Sequence, residues 1–281
     1  MGCLKITYLE TNWKMQMLHV RKGTSSREQK SVQSWLSVDP LAEKYPSISS
    51  YAYVANNPIN AIDPDGRDIW ELNSNGEVIN RIENTEIDQF VIIDDDGNRI
   101  ESDTFDYGTV ENHRTQSGTY QKRNEDGTRS KEVTTIDIFK VRGDENGTKL
   151  FEFFADNTNV EWGQAKTGIE GDKGLNFLTT GHIEYTEPGM RALINGQLSG
   201  GSKDGYTIRE LIHNHPSGTA VPSGIPGLTG DKGDVPFAKA VTEWYEGKYP
   251  NRNSSPTYKI YVTGKGYIEF SKDSKKEDYG Y

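Results

Sequence analysis

The stretch ELIHNHPSG, residues 210–218, places two of the chain's five histidines one residue apart. The residues before them, YTIRELI at 206–212, are apolar and β-branched enough to form a strand. Side chains two positions apart on a strand point to the same side, so His213 and His215 would present both imidazoles to one point. Neutral imidazole is a common zinc ligand, and a catalytic zinc has three protein ligands and one open position. The stretch therefore predicts a metal site that lacks only its third ligand.

The third ligand is sought downstream of the histidines. Loop residues, PSGTAVPSGIPGLTG, are followed by DKGDVPFAKAVTEWYEG, in which apolar residues recur at helical spacing between Ala238 and Tyr245. Asp234 is a good N-cap for this predicted helix, and Pro236 suits its first turn. A carboxylate at the helix start is well placed to meet the two imidazoles. Asp234 is therefore the favoured ligand, and Asp231 is the alternative.

A hydrolytic metal site also needs a base that takes the proton from water. The candidate is Glu161 in NTNVEWGQAKTG, where Val160, Trp162 and Gln164 alternate with Glu161 and Gly163 as on a strand. A carboxylate beside the water can pass its proton to a leaving amine, and a metal lowers the pKa of that water.

These residues resemble the JAB/JAMM (MPN) metalloprotease family over about residues 150–270. The family pattern is a glutamate in an early strand, then His-x-His-Pro, six residues, a serine, two residues and an aspartate. Here VEWGQAKTG is similar to the family's Glu-x-x-Gly-x-x-x-Gly segment, with the glycines displaced by one position. His213-Asn214-His215-Pro216 follows, and Ser223 stands at the serine position. Pro226 occupies the aspartate position, so GIPGLTG is interpreted as an insertion that moves the aspartate to Asp234.

The resemblance implies a zinc-dependent peptidase or isopeptidase in which zinc-activated water attacks an amide carbonyl. His213, His215 and Asp234 would hold Zn²⁺, Glu161 would be the acid and base, and Ser223 would stabilise the oxyanion. The expected fold is α+β, a JAMM-like mixed or mainly antiparallel sheet flanked by helices and preceded by β-rich hairpin segments. The expected domain spans 150–272 and ends in a hairpin that turns at Gly264-Lys265-Gly266. The residues after it, 273–281, are expected to form a frayed tail.

A second resemblance covers residues 35–67, after a lead at 1–34 that is expected to be disordered or a remnant. Asp39-Pro40-Leu41-Ala42, Tyr51-Ala52-Tyr53, Asn56-Asn57-Pro58 and Asp63-Pro64-Asp65-Gly66 are similar to the C-terminal end of the core of bacterial RHS-repeat proteins. In that family, aspartates near this end can release an enclosed toxin. Asp39 and Asp63 match them in position, although the interpretation of both residues as parts of Asp-Pro turns is preferred.

The two resemblances together imply a JAB-like toxin of the polymorphic type. The implied partners are a protein or peptide substrate in a target cell and a cognate immunity protein. The chain shows no signal peptide, so delivery by a specialised secretion system as part of a larger RHS protein is expected. A detached copy would be cytoplasmic.

Residues 68–149 are expected to be a β-rich linker or platform. NSNGEV, DDDGNR, NEDGTR and DENGTK each contain Asn-Gly or Asp-Gly, the strongest short hairpin signal. Asp94-Asp95-Asp96 lacks the ligand spacing of a calcium loop and is interpreted as a solvated hairpin tip. His113 and His182 are interpreted as surface histidines, and Trp162 and Trp244 as core residues.

The composition bears on which partners, metal sites and membrane segments the chain could have. The net charge is −10, from 42 acidic and 32 basic residues, which disfavours nucleic acid as a partner. Cys3 is the only cysteine, so neither an intrachain disulfide nor a cysteine-based metal site can form. No apolar run is long enough for a transmembrane helix. Two alternatives stay open: a metal-free binding module of the same fold, and a nuclease that uses His213 or His215 as its base.

Overall fold

Eleven strands and three α-helices make up the part of the chain that the computed structural model describes, namely residues 67–84, 88–105, 108–198, 207–249 and 255–281. The strands are β1 (Arg67–Leu72), β2 (Val78–Asn84), β3 (Asp88–Ile93), β4 (Arg99–Phe105), β5 (Val110–Arg123), β6 (Arg129–Arg142), β7 (Trp162–Thr167), β8 (Leu175–Thr180), β9 (Ile208–Asn214), β10 (Thr257–Val262) and β11 (Gly266–Phe270). The helices are α1 (Asp144–Asn157), α2 (Gly189–Asn195) and α3 (Asp234–Lys248). The predictions on residues 1–34, on Asp39 and Asp63, and on the RHS-like segment before Arg67 lie outside the described residues.

The first four strands form a small mixed sheet in the order β2-β1-β3-β4. β1 pairs antiparallel with β2 and parallel with β3, and β3 pairs antiparallel with β4. The predicted turns NSNGEV and DDDGNR join the two antiparallel pairs. In the second turn Asp94 accepts hydrogen bonds from the amides of Asp96 and Asn98, and Gly97 takes a φ of 81° that favours glycine. These contacts agree with the interpretation of the acidic run as a hairpin tip.

The other seven strands form a second mixed sheet in the order β11-β10-β9-β7-β8-β6-β5. β9 and β10 are parallel, and all other neighbouring pairs are antiparallel. This arrangement confirms the expected α+β class with a mixed sheet. β5 and β6, which the sequence analysis assigned to a platform ending at residue 149, are strands of the same sheet as the predicted domain. The hairpin at Gly264-Lys265-Gly266 is present between β10 and β11.

The prediction of a hairpin at DENGTK is wrong, because these residues begin α1. Asp144 and Glu145 lie in the first helical turn, where acidic side chains favour the positive end of the helix dipole. The residues that follow, LFEFFA, then bury Leu150, Phe151 and Phe154 against the sheet. Burial of this apolar stripe outweighs the local turn preference of Asn-Gly.

Two hydrophobic clusters lie on the two faces of the larger sheet. One contains Ile136 and Ile138 of β6 together with residues of α2 and α3. The other contains Phe139 and Val141 of β6, α1, and apolar side chains of the small sheet. Because alternate residues of one strand enter different clusters, the sheet is buried on both sides. Trp162 is fully buried as predicted, whereas Trp244 is only partly buried.

The C-terminal residues differ from the expected frayed tail. Lys276–Tyr279 form a 3-10 helix, and Tyr279 packs against the cluster that contains α3. The Tyr279 hydroxyl donates to the carbonyl of Glu269, at 3.3 Å. These contacts place the segment beside β11.

Candidate metal centre

The two imidazoles meet at the carboxyl end of β9. His213 is the penultimate residue of this strand and lies opposite Gly163 of β7. The backbone of His215 continues the same direction, since its amide donates to the carbonyl of Tyr261 on β10, at 3.0 Å. The two Nε2 atoms are 3.1 Å apart. The alternation of a strand therefore brings both rings to one point, as the sequence suggested.

Asp234 completes the cluster at the start of α3. Its Oδ1 lies 3.2 Å from Nε2 of His213, and its Oδ2 lies 3.4 Å from Nε2 of His215. Among the described residues, these three form the single group of histidine, cysteine and acidic side chains that could hold a metal ion. Asp231 is exposed in the preceding loop and is not part of this group. Asp234 is also the first residue of the helix rather than its N-cap, which is Gly233.

The loop between Ser223 and Asp234 closes on itself. Thr229 receives a hydrogen bond from the amide of Ile225 and donates one to the carbonyl of Pro222. The amide of Ser223 donates to Oδ2 of Asp234 at 2.7 Å, and the amide of Asp234 donates to Oγ of Ser223 at 3.0 Å. These hydrogen bonds bring Asp234 back beside Ser223, so the carboxylate that follows the loop reaches the histidines.

Gly233 makes this close approach possible. A Cβ atom at this position would lie 1.8 Å from Oγ of Ser223, and the backbone φ is 127°. Both the space and the conformation require glycine here.

Glu161 lies one residue before β7 rather than inside the strand. Its amide donates to the carbonyl of Ile183, and its carbonyl accepts a hydrogen bond from Oγ1 of Thr180, each at 2.9 Å. Both contacts fix the backbone just before the first residue of β7, an interior strand of the sheet. Glu161 lines the same cleft as His213, His215 and Asp234.

Asn214 fixes this geometry from the opposite face of the sheet, and the sequence analysis did not single it out. It lies between the two histidines and is buried. Its Oδ1 accepts a hydrogen bond from the amide of Trp162 at 2.6 Å, and its Nδ2 donates to the carbonyl of Val160 at 3.3 Å. The amide side chain therefore ties the residues on both sides of Glu161 to the histidine strand.

Glu187 is a second buried carboxyl that the sequence analysis missed. Its side chain accepts hydrogen bonds from the amides of Gly189 at 2.7 Å and Met190 at 2.6 Å, at the start of α2. A Cβ atom on Gly163 would lie 3.0 Å from Oε2 of Glu187, so glycine at 163 leaves room for the carboxyl beside the strand. Gly163 and Glu187 are far apart in sequence, so no local pattern predicts their contact.

The electrostatics of the centre follow from burial and close charges. Burial raises the pKa of Glu161 to about 8, with further contributions from Asp234 and Glu187. Burial alone would lower the pKa of His213, but the neighbouring carboxylates, chiefly Asp234, raise it to about 9. Burial would raise the pKa of Asp234, but His213 and His215 bring it far below its ordinary value. These shifts show that the titratable groups of the centre interact strongly at close range in a buried place.

The donor set fits zinc. Zinc bound to nitrogen and oxygen at about 2.0 to 2.1 Å in a tetrahedron has ligand atoms roughly 3.3 Å apart. Nε2 of His213 lies 3.1 Å from Nε2 of His215 and 3.2 Å from Oδ1 of Asp234, and the other carboxylate oxygen, Oδ2, lies 3.4 Å from Nε2 of His215. With one ligand atom taken from each residue, all three lie within 4.8 Å of one another. Nδ1 of His215 lies 2.8 Å from the carbonyl oxygen of Thr219, which requires Nδ1 to donate. In the neutral ring Nε2 is then free to bind a metal, because a hydrogen bond from the other ring nitrogen commonly fixes the tautomer and orientation of a metal-binding histidine.

A cleft of about 1070 Å³ opens onto the centre. Its walls include residues of the β5–β6 hairpin, the segment that leads into α2, and the start of α3. Met190, Val221 and Phe237 give it apolar surface. The centre is therefore accessible to a molecule much larger than water.

The interpretation of His113 and His182 as surface histidines is wrong. Their side chains are 14% and 12% exposed, and their Nε2 atoms lie 3.2 and 3.3 Å from the two oxygens of the buried carboxylate of Asp137. All three side chains lie away from the metal centre. Their partners are distant in sequence, so histidine spacing alone could not reveal them.

The mixed α+β fold and the histidine-histidine-aspartate centre are consistent with a JAB/MPN-like domain. Residues 139–239 match the family model described as JAB-like toxin 1. The matched range contains Glu161, Ser223 and the three residues of the candidate metal centre. The match supports a JAB-like toxin domain in this part of the chain, and it does not extend to the RHS-like segment. Comparisons with curated proteins and with solved structures gave no match.

Among the described residues, no helix is long and apolar enough to cross a membrane.

Proposed function

We propose that the chain is a zinc-dependent peptidase or isopeptidase that acts as a toxin effector. The observation that carries the proposal is the convergence of His213, His215 and Asp234, with ligand atoms within 4.8 Å of one another, in an open cleft that Glu161 also lines. The similarity of residues 139–239 to a toxin family favours delivery into a target cell and a neutralising partner protein. The RHS-like segment at 35–67 would connect the domain to a larger delivered protein.

His213, His215 and Asp234 would hold the metal. Bound zinc would supply a Lewis acid that polarises a carbonyl and makes water more acidic. Asp234 is fixed by the amide of Ser223, and His215 by the carbonyl of Thr219, so two of the three ligands are oriented before any metal binds.

Glu161 would move the proton. Burial raises the pKa of this carboxyl above its ordinary value, which favours exchange of a proton with water and with an amine near neutral pH. In an amide hydrolysis it would take the proton from the attacking water and give it to the leaving amine. Its backbone is held by Ile183 and Thr180, so the carboxyl is kept at the edge of the cleft.

Ser223 would stabilise the oxyanion. Its Oγ accepts a hydrogen bond from the amide of Asp234, which leaves its own proton free to be donated. The side chain lines the same cleft as Glu161. A hydroxyl aimed at a developing negative charge is one form of oxyanion hole.

The decisive test measures amide hydrolysis and metal content together. Purified chain should hold one zinc, cleave polypeptide or isopeptide substrates, and lose both zinc and activity in the variants His213→Ala and Asp234→Asn. Glu161→Gln should keep the zinc and lose activity by about 100-fold or more, since it removes the proton carrier alone. Glu170→Gln, which changes an exposed glutamate, is the matched control and should behave as the wild type.

Two results would replace this proposal with its alternatives. A chain that never holds metal but captures a partner protein would indicate a binding module. Plasmid nicking that survives both a chelator and Glu161→Gln would indicate a nuclease.

A further inference from the structure

Five basic residues line the cleft beside the metal centre, and all five are exposed. They are Arg123, Arg129, Lys131, Arg191 and Lys232. None of them forms an ion pair with another described residue. In a chain of net charge −10, a group of cations without ion-pair partners among the described residues around one opening is a local concentration of positive charge. Arg191 in addition lies over the ring of Phe237, 6.0 Å from its centroid.

The acidic residues of the cleft do not neutralise this rim. Glu161, Glu187 and Asp234 belong to the metal centre and its buried surroundings, where each already has a physical role. Glu184 is the exposed acidic residue among those that line the cleft. The opening is therefore positive at its rim and carries its carboxyl groups at its floor.

The register of the β5–β6 hairpin adds electrostatic repulsion between cations on the two strands. Arg123 lies directly opposite Arg129, and Lys131 lies opposite Gln121. Like charges directly opposite each other on antiparallel strands are destabilising. On its other side, β6 pairs with β8 only over Asp137–Arg142, so the distal part of the hairpin projects beyond the sheet. An anionic group bound from outside would offset the repulsion.

We propose that the rim formed by these five cations recognises acidic side chains of a polypeptide substrate and so selects acidic sequence beside the scissile bond. This inference rests on the proposed peptidase function and names its substrate class. An acidic polypeptide fits better than a nucleic acid because the floor of the cleft carries carboxyl groups. A phosphodiester backbone drawn inward would meet them at every unit, whereas a peptide can place acidic side chains at the rim and neutral backbone at the floor.

The test measures binding without turnover, in the full chain carrying Glu161→Gln. Fluorescence anisotropy compares a labelled peptide of alternating glutamate and tyrosine with its lysine counterpart of the same length. The glutamate peptide should bind more tightly, and its affinity should fall as salt is added, because exposed charges are screened. The double variant R129E/K131E should weaken it by on the order of tenfold.

The matched control is K173E/K276E, which makes the same change in net charge at exposed positions outside the cleft. It should leave the affinity within about twofold of the parent, since distant exposed charges are largely screened. Equal weakening by both double variants, or equal affinity for the two peptides, would overturn the inference. A single-stranded oligonucleotide that displaces the glutamate peptide at lower concentration would also overturn it, in favour of nucleic acid.

Failure of this inference is distinguishable from failure of the proposed function. Zinc-dependent cleavage of neutral and acidic peptides at equal rates would leave the peptidase intact and remove the acidic preference. Preferential binding of the acidic peptide by a chain that cleaves nothing would support the rim and reject the peptidase.

Discussion

Asn214 shows how much of the centre depends on a side chain that cannot itself bind the metal. His213 and His215 face the cleft, and Asn214 between them faces the opposite side because the strand alternates. There it accepts the amide proton of Trp162 in the buried interior. This side chain therefore adds to the contacts of Ile183 and Thr180 that position Glu161 relative to the histidines.

Asn214→Ala should therefore destabilise the fold by about 1 to 3 kcal/mol, because the amide of Trp162 would stay buried without a partner. The measurement is urea unfolding. Asn80→Ala is the control, since the Asn80 side chain makes an exposed hydrogen bond to Glu71, and its effect should stay within about 0.5 kcal/mol. Equal unfolding midpoints for the two variants would show that the Asn214 contact does not hold the segment.

The sequence predicts those parts of the site that depend on residues close together along the chain. Two histidines at i and i+2, and an aspartate at the start of a helix, identify residues that the structure brings together. Asp234 rather than Asp231 could be favoured because the helix pattern begins at the former. The contacts of Asn214, the approach of Glu187 to Gly163 and the partners of His182 could not be predicted, because each joins residues far apart in sequence.

At the level of single elements, α1 shows where a local signal fails. Asn-Gly predicts a turn, yet Asn146 and Gly147 lie inside this helix. Gly147 has a packing role in the helix that a turn would not require. A Cβ atom there would lie 2.4 Å from Cγ of Asn176, whose amide donates to the carbonyl of Gly143 and accepts from Gln164. The glycine lets the helix approach a buried polar contact on β8.

Gly147→Ala should consequently destabilise the fold by about 1 to 3 kcal/mol through overpacking, although alanine is the better helix former. Gly247→Ala in α3 is the matched control, because a Cβ atom there meets nothing within 4 Å. That control should be neutral or stabilising by up to about 1 kcal/mol. Thermal unfolding of both variants checks the pair, and stabilisation by both would mean that α1 does not pack this closely on Asn176.

The hairpins were easier to predict from the sequence than the order of the strands in the two sheets. Three of the four Asn-Gly and Asp-Gly turns join antiparallel strands, since a tight turn is encoded in a few adjacent residues. The same turns do not specify which strands enter which sheet. The placement of β5 and β6 beside β8 depends on buried residues such as Ile138 and Phe139, whose alternation gives a strand but not its neighbour.

At the scale of the whole molecule, His182 connects the two sheets. Its Nδ1 lies 3.0 Å from the carbonyl of Asn75 in the β1–β2 turn, and its Nε2 faces the carboxylate of Asp137 on β6. Both partners are acceptors, so both ring nitrogens must donate, and only the protonated ring can do this. Burial would lower the pKa of His182, but the hydrogen bonds to Asp137 and Asn75 raise it above its ordinary value.

A raised histidine pKa stabilises the folded state fully below the unfolded-state value and loses that contribution as pH rises through the folded-state value. The pKa of Asp137 is lowered, since His113 and His182 outweigh its burial, so its contribution is lost only in acid. The connection should be strongest between about pH 5 and pH 6 and should weaken toward alkaline pH. Glu161, Glu187 and His213 titrate as well, so the effect must be measured as a difference between two proteins.

The comparison is between the wild type and His182→Asn, because asparagine tolerates the positive φ of 59° at this position. Urea unfolding at mildly acidic and at alkaline pH should give a larger stability difference at the acidic value. The variant Asp137→Asn should reduce the pH dependence of that difference, since it removes the charged partner. If the wild type and His182→Asn differ by the same free energy at both pH values, the ring is neutral in the folded protein and provides no pH-dependent connection between the two sheets.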